Sequence, residues 1–270
     1  MKTHIPTTAL LGLWTAAVLL FLFAPLFLVM LFSFNAADIR IFPIRGLTLA
    51  WYTRLAGNAD FHAALVNSLL VAGATVVIAT ILGVLAANGV HRYAPRWKTV
   101  LRSGASLPMM VPHLILAIAL LSSYNLLNID LSLVTVILGH SVVAFPYVFL
   151  ITSARLVGFD PALEEAARDL GAGTWTIFRE ITLPLLAPAI FAGALISFTL
   201  SFDGVVVTFF TTGTDNTLPM VIWSMLRVGI TPEINAIATL TIVVSCVMAG
   251  FAEIVMRRAR MSAVAQGEKL

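Results

Sequence analysis

Charge is what this chain has least of. Of its 270 residues only 11% are Asp, Glu, Lys or Arg, while 60% are apolar. A water-soluble domain carries about 25% charged residues because its surface must be solvated. A chain with less than half that share cannot cover a water-facing surface of this size. The same apolar excess excludes intrinsic disorder, and the lone thiol, Cys246, excludes an internal disulfide scaffold. No G-x-x-x-x-G-K-[ST] phosphate loop is present, so ATP hydrolysis of that type is absent. His4, His62, His91, His113 and His140 are scattered with no i, i+4 pair, which leaves no metal site. Neither Ser103-Gly104 nor His140-Ser141 supplies the Gly-x-Ser-Gly turn and facing histidine of an intramembrane protease. What remains is an integral membrane protein without catalytic chemistry of its own.

The apolar residues are gathered into long runs. A membrane-crossing helix needs roughly 20 mainly apolar residues, and six such runs lie near Thr8–Phe34, Ala63–Asn88, Thr99–Ser122, Leu131–Thr152, Leu185–Thr212 and Ile234–Met256. Strands of a membrane barrel would be about 10 residues of strict alternation, which is not found. The expected fold is therefore an all-α integral membrane bundle of six transmembrane helices. The first run, of 26 or so residues, exceeds the ~7–15 of a signal-peptide core and reads as a retained span. Lys and Arg set the orientation. Twelve fall at the N-terminus, in the second-to-third and fourth-to-fifth loops and in the tail, against four (Arg40, Arg45, Arg54 and Arg227) on the other side. Both termini are expected in the cytoplasm. The basic balance then reflects topology, with no nucleic-acid partner.

Two connections carry features. Asn35–Phe61, expected outside, mixes Trp51, Tyr52 and Phe61 with Arg and Asp, as suits a segment at the membrane surface. It reads as a structural plug or as a contact for an external partner. The other runs from Asp160 to Pro184 on the cytoplasmic side. Asp160 is a good N-cap, Pro161 fits the first helical position, and Leu163, Ala166, Ala167 and Leu170 recur as one apolar stripe. Gly171 suits the left-handed position that ends a helix. A second short helix is expected to restart at Thr174, with Ile177, Phe178 and Ile181 on one face. Glu164 and Arg168 form a favourable i, i+4 pair, and Glu165 and Asp169 a repulsive one. Periodicity alone allows this stripe to pack on its own chain or on another protein.

Glu165-Ala166-Ala167, Gly171, Ile181, Leu183 and Pro184 resemble the EAA loop (EAA-x3-G-x9-I-x-L-P) of ABC importer permeases, with every fixed position met. Ser197–Asp203, Leu218-Pro219, Ile222–Met225 and Val228–Ala236 further resemble the permeases of spermidine/putrescine-type importers, and the similarity runs roughly from Ala63 to Met256. The resemblance implies a MetI-like permease core over 63–258 with its loop at 160–184. It leaves 1–62 as first span plus external segment and 259–270 as cytoplasmic tail. It implies that Glu165, Ala166, Ala167, Gly171, Ile181, Leu183 and Pro184 couple the spans to a separate ATPase. The implied partners are two ATPase subunits that use ATP and magnesium, a second and usually non-identical permease, a periplasmic solute-binding protein and membrane lipid. The implied place is a bacterial inner membrane.

Polar residues at membrane depth are costly and so are candidates for the path of a solute. Asp203, with Gly204 to loosen the helix beside it, faces either that path or the interface. His113 follows Pro108 and Pro112, a pair that must break or kink the third span, and broken helices tend to line cavities. His140 fits a buried, hydrogen-bonded structural role more simply than a solute role. Glu253 is placed to pair with Arg257. The polyamine-type relatives tend to carry acidic residues where this chain has Gly204 and His113. That leaves one carboxylate for a polyamine-like solute, and makes a zwitterion such as an aminophosphonate or amino-acid derivative an alternative. An ion-coupled secondary transporter or channel is the rival from composition. It would show inverted repeats or several charged relay residues, and neither is found.

Overall fold

The computed structural model describes residues 7–37, 44, 46–93, 96–228 and 232–267. Among them every regular element is helical, apart from a single antiparallel bridge between Asn35 and Leu47. Four helices are long and apolar enough to cross a membrane: Leu10–Phe32, Ala59–Tyr93, Leu133–Val157 and Thr174–Phe202. A fifth crossing is made if α4 (Lys98–Met110) and α5 (His113–Leu126), bent by 97° at the break between them, count as one span. The sixth expected run survives as a shorter apolar stretch, Pro232–Met248, inside the long helix Pro232–Gly267.

The bend has a local cause. Val111 adopts φ −80°, ψ 128°, the extended conformation that steric conflict with a following proline ring imposes. Pro108 is carried inside α4, and Pro112 sets the start of α5, so only the second proline of the pair breaks the helix.

The chain divides into two compact units, residues 1–59 with 222–244 and residues 60–221 with 245–270. In the first, α1 (Thr7–Phe32) exposes most of its apolar side chains, Phe21 by 79%. The chain then folds back, with Ala36 N–H donating to the Gly46 carbonyl and Thr48 N–H to that of Phe34. In α2 (Ala50–Ala56), Trp51 and Leu55 are buried. Trp51 Nε1 donates to the Asn35 carbonyl at 2.8 Å, Tyr52 Oη meets Ser33 Oγ at 2.7 Å, and Arg54 reaches Glu233 at 3.3 Å. Of the expected external segment, Trp51 and Tyr52 are thus engaged with their own chain, whereas Phe61 lies in α3 (Ala59–Tyr93). Arg40, Arg45 and the expected pairing of Glu253 with Arg257 lie outside what is described.

The second unit is built around α6 (Leu133–Val157). Val148 and Phe149 are wholly buried there. Ala79 and Val84 of α3 pack with Ala144 and Val148, and Ala87 packs with Phe149, Leu156 and Leu186. The approach is close because α3 and α9 (Leu183–Phe202) present Gly83 and Gly193 to Val148. Small residues let helix backbones come near one another in a membrane.

Two expectations around the fifth span are corrected. The second short helix is not separate: α8 (Thr174–Ile177) continues through a π-turn, Phe178–Thr182, straight into α9. A proline inside a continuing helix clashes with the carbonyl four residues back. A wider turn just before Pro184 relieves that conflict, so the helix need not stop at Leu183-Pro184. At the other end the helix does not reach Thr212. It stops at Phe202, and a short α10 (Val205–Thr211) restarts beyond Asp203-Gly204. The chain continues as α11 (Leu218–Val228) and α12 (Pro232–Gly267).

Candidate functional site

The loop from Asp160 to Pro184 opens with α7 (Ala162–Asp169). Asp160 Oδ1 accepts from Ala162 N–H at 3.0 Å, satisfying one of the helix's free donors; the helix begins one residue later than Pro161. At the far end Gly171 takes φ +85°, with Gly171 N–H bonded to the Arg168 carbonyl and Ala172 N–H to that of Ala167. This is the paired-bond helix stop that a left-handed glycine permits.

No residue of α7 is buried. Leu163 is 50% and Leu170 89% exposed, and Trp175 of α8 is 70% exposed. Glu165 and Ala166 are exposed, Ala167 is half-buried, and Gly171 is exposed. Of the stripe, Leu163, Ala166 and Leu170 therefore do not pack on their own chain. Ile181 is half-buried at the π-turn, and Leu183 and Pro184 are exposed.

Glu164 behaves differently from its neighbour. Its contact with Arg168 is 3.8 Å, but its Oε1 also accepts from Arg92 Nη2 and from Thr182 Oγ1, the latter at 2.8 Å. Arg92 donates in turn to Thr182 Oγ1 at 2.8 Å and to Asn88 Oδ1 at 2.8 Å. The Arg92 and Glu164 side chains are only 10% and 13% exposed. Removing one partner of a pair shielded to this degree leaves an uncompensated charge, at a cost on the order of 3–5 kcal/mol when burial is complete. Neither Arg92 nor Thr182 stood out in the sequence: the three are far apart in the chain, and no local periodicity links them.

Away from this loop, a cavity of about 370 Å³ opens between α5, α6, α9 and α10. His113, His140, Thr199, Asp203 and Gly204 supply its polar wall; Val143, Leu200 and Val205–Val207 supply the apolar one. The structure thus brings Asp203, His113 and His140 to one space. His113 is the first residue of α5, exposed beside the bend. Asp203 caps the end of α9, and its carboxylate has no hydrogen-bond or ion-pair partner among the described residues. His140 is buried and fully engaged. Its Nδ1 meets Ser201 Oγ at 2.8 Å and its Nε2 meets Thr208 Oγ1 at 3.0 Å; Ser201 goes on to Thr75 at 3.3 Å. Its imidazole is held by hydroxyls from α9 and α10, so it shapes the wall and offers no free nitrogen. Among the described residues no group of His, Cys, Asp and Glu could hold a metal ion.

Gly204 is required by that histidine. A Cβ at position 204 would lie 2.7 Å from His140 Cε1 and 3.0 Å from both His140 Nε2 and the Leu200 carbonyl oxygen. Gly204→Ala is therefore expected to push the imidazole off Thr208 and lower the melting temperature, with the protein still inserted. Thermal unfolding of the purified variant checks this, and an unchanged melting temperature would show that the wall tolerates the shift.

Residues 79–261 match the family described as binding-protein-dependent transport system inner membrane component. The spermidine/putrescine transport system permease protein PotC of Escherichia coli (strain K12) is 38% identical over 247 residues, which cover 91% of this chain and 93% of that one. The putrescine transport system permease protein PotI of the same strain is 35% identical over 239 residues, with 84% and 85% covered. Among solved structures, a bacterial ABC transporter involved in import of the acidic polysaccharide alginate superposes with a TM-score of 0.73 at 18% identity, over 93% of this chain and 95% of that one. The MetNI methionine ABC transporter in inward-facing form gives 0.61 at 17% identity, over 77% and 97%. Both share the fold.

Proposed function

The chain belongs to the binding-protein-dependent transport system inner membrane components, and from that premise we propose that it is the six-span half of an ATP-driven importer pore with both termini in the cytoplasm. It is a permease and not an enzyme. Its α7 seats in a groove of a separate ATPase subunit, and two such subunits, with ATP and magnesium, close against each other and swing the spans between inward- and outward-open states. ATP drives the change because it binds the closed ATPase state better than the open one. A second, related permease completes the pore, and a periplasmic binding protein delivers the solute. Family membership does not favour an ion-coupled carrier or channel.

The observation that carries this reading is the uncovered stripe on α7. A helix with none of its residues buried gains little from folding against its own chain, yet here it is capped at both ends and held in place. Such a surface makes physical sense when another protein covers it. Leu170→Asp is expected to weaken association with the ATPase subunits about 10- to 150-fold, since covering a leucine side chain contributes about 1.5–3 kcal/mol. Co-purification of the assembled complex measures this. Undiminished association would remove α7 as the docking helix.

For the solute, the relatives' names point to spermidine and putrescine, and the unpartnered carboxylate of Asp203 suits an ammonium group. A zwitterion is the second reading, favoured by Asp203 being the one carboxylate in a wall that is otherwise histidine, threonine and apolar.

A further inference from the structure

Because no residue of α7 is buried, forces on that helix have few routes into the rest of the chain. Covalent continuity and the adjoining α8 are two. The third is Glu164, whose side chain bonds to two different spans at once. Arg92 stands in the last turn of α3, and Thr182 closes the π-turn that leads into α9. The contacts form a closed ring: Arg92 Nη2 donates to Glu164 Oε1 and Thr182 Oγ1, and Thr182 Oγ1 donates to Glu164 Oε1. Asn88, one turn back on α3, holds the same guanidinium through Nε. Neighbouring Glu165 points to solvent with no partner among the described residues.

We infer that Arg92, Glu164 and Thr182 are positioning residues that transmit displacement of α7 to the ends of α3 and α9 together. The inference rests on the proposal that an ATPase subunit moves α7. The π-turn adds a reason for the location. Such turns close each hydrogen bond over one extra residue and recur at functional sites, and here the turn is clamped by its last residue to α7. Without the clamp, α7 can follow the ATPase while the spans stay behind. Uncoupling is the expected defect, with ATP still consumed and little solute carried.

The test uses the complete transporter, with both permeases, both ATPase subunits and the binding protein, in liposomes containing ATP and radiolabelled putrescine. Uptake and phosphate release are read from the same vesicles. For Glu164→Gln and Arg92→Gln, putrescine moved per ATP hydrolysed is expected to fall about tenfold, within the range that site-to-site coupling spans. The exchanged pair, Arg92→Glu with Glu164→Arg, is expected to restore part of that ratio. Fewer assembled complexes would lower uptake and ATP turnover alike, so a structural defect leaves the ratio unmoved. An unchanged ratio in both single variants overturns the inference. If Glu164→Gln does not assemble, Thr182→Val, which deletes one hydroxyl and no charge, is read the same way. Leu170→Asp runs alongside. If it leaves ATPase association intact, the docking helix itself is wrong; if it abolishes association while Glu164→Gln keeps the ratio, the clamp alone is wrong.

Discussion

Gly83→Leu is expected to cost this chain its folded state. A Cβ at position 83 would lie 2.7 Å from both Cβ and Cγ1 of Val148 and 3.0 Å from the Phe149 amide nitrogen. None of these atoms is the far end of a flexible side chain. Val148 is also met by Gly193, where a Cβ would sit 3.1 Å from Val148 Cα. Helix α6 thus meets both α3 and α9 at one residue, and any shift of Val148 disturbs two close approaches at once. Overpacking costs about 1–3 kcal/mol even where neighbours can adjust, against a typical total stability of about 5–15 kcal/mol. Here three further carbons must also be placed. We expect little monodisperse protein after mild detergent extraction, and a sharply lowered melting temperature for what remains. Gly73→Leu on the same helix is the control, because nothing lies within 4 Å of a Cβ there. Equal melting temperatures for the two variants would show that the close approach at Val148 contributes little.

How much of this was legible in the sequence depends on the range over which each feature is decided. The break at Pro112, the left-handed Gly171 and the cap at Asp160 are consequences of a few neighbouring atoms, and they stand where residue type placed them. Apolar run length located the long helices, but not where they end. Continuity through Pro184 depends on a π-turn that residue type does not announce, and the stop at Phe202 falls just before Asp203-Gly204, where the backbone passes close to His140. Two adjacent glutamates on a helix point about 100° apart, so the two need not share one environment. Which of them is shielded was decided by Arg92, seventy-two positions away. Asp203, His113 and His140 were each picked out by the cost of a polar group at membrane depth. That they share one cavity follows from α5, α6, α9 and α10 packing together, and no local pattern in the chain encodes that. The cost for His140 is met by Ser201 and Thr208, which separates it from Asp203, whose carboxylate is left unpartnered.

That difference sets the sharpest functional expectation. Asp203→Asn keeps the shape of the side chain and removes its charge. A hydrogen bond from an ammonium group to a charged acceptor contributes about 1.5–3 kcal/mol, so uptake of putrescine is expected to fall about 10- to 150-fold. Loss of the charge should not disturb the fold, because no partner among the described residues depends on that carboxylate. Melting temperature and ATPase association are therefore expected to stay as they are, and Asp203→Glu to keep part of the uptake. His140→Gln, by contrast, is expected to lower the melting temperature as well, since hydroxyls from α9 and α10 lose their common partner. Comparing putrescine, spermidine and a zwitterionic amino-acid derivative in the same vesicles then separates the two solute readings. A polyamine path through this cavity makes Asp203→Asn fail for both amines. A zwitterion path lets wild-type protein carry the zwitterion in preference, with the same variant losing it. Normal uptake of every solute by Asp203→Asn would mean that the cavity between α5, α6, α9 and α10 lies off the route.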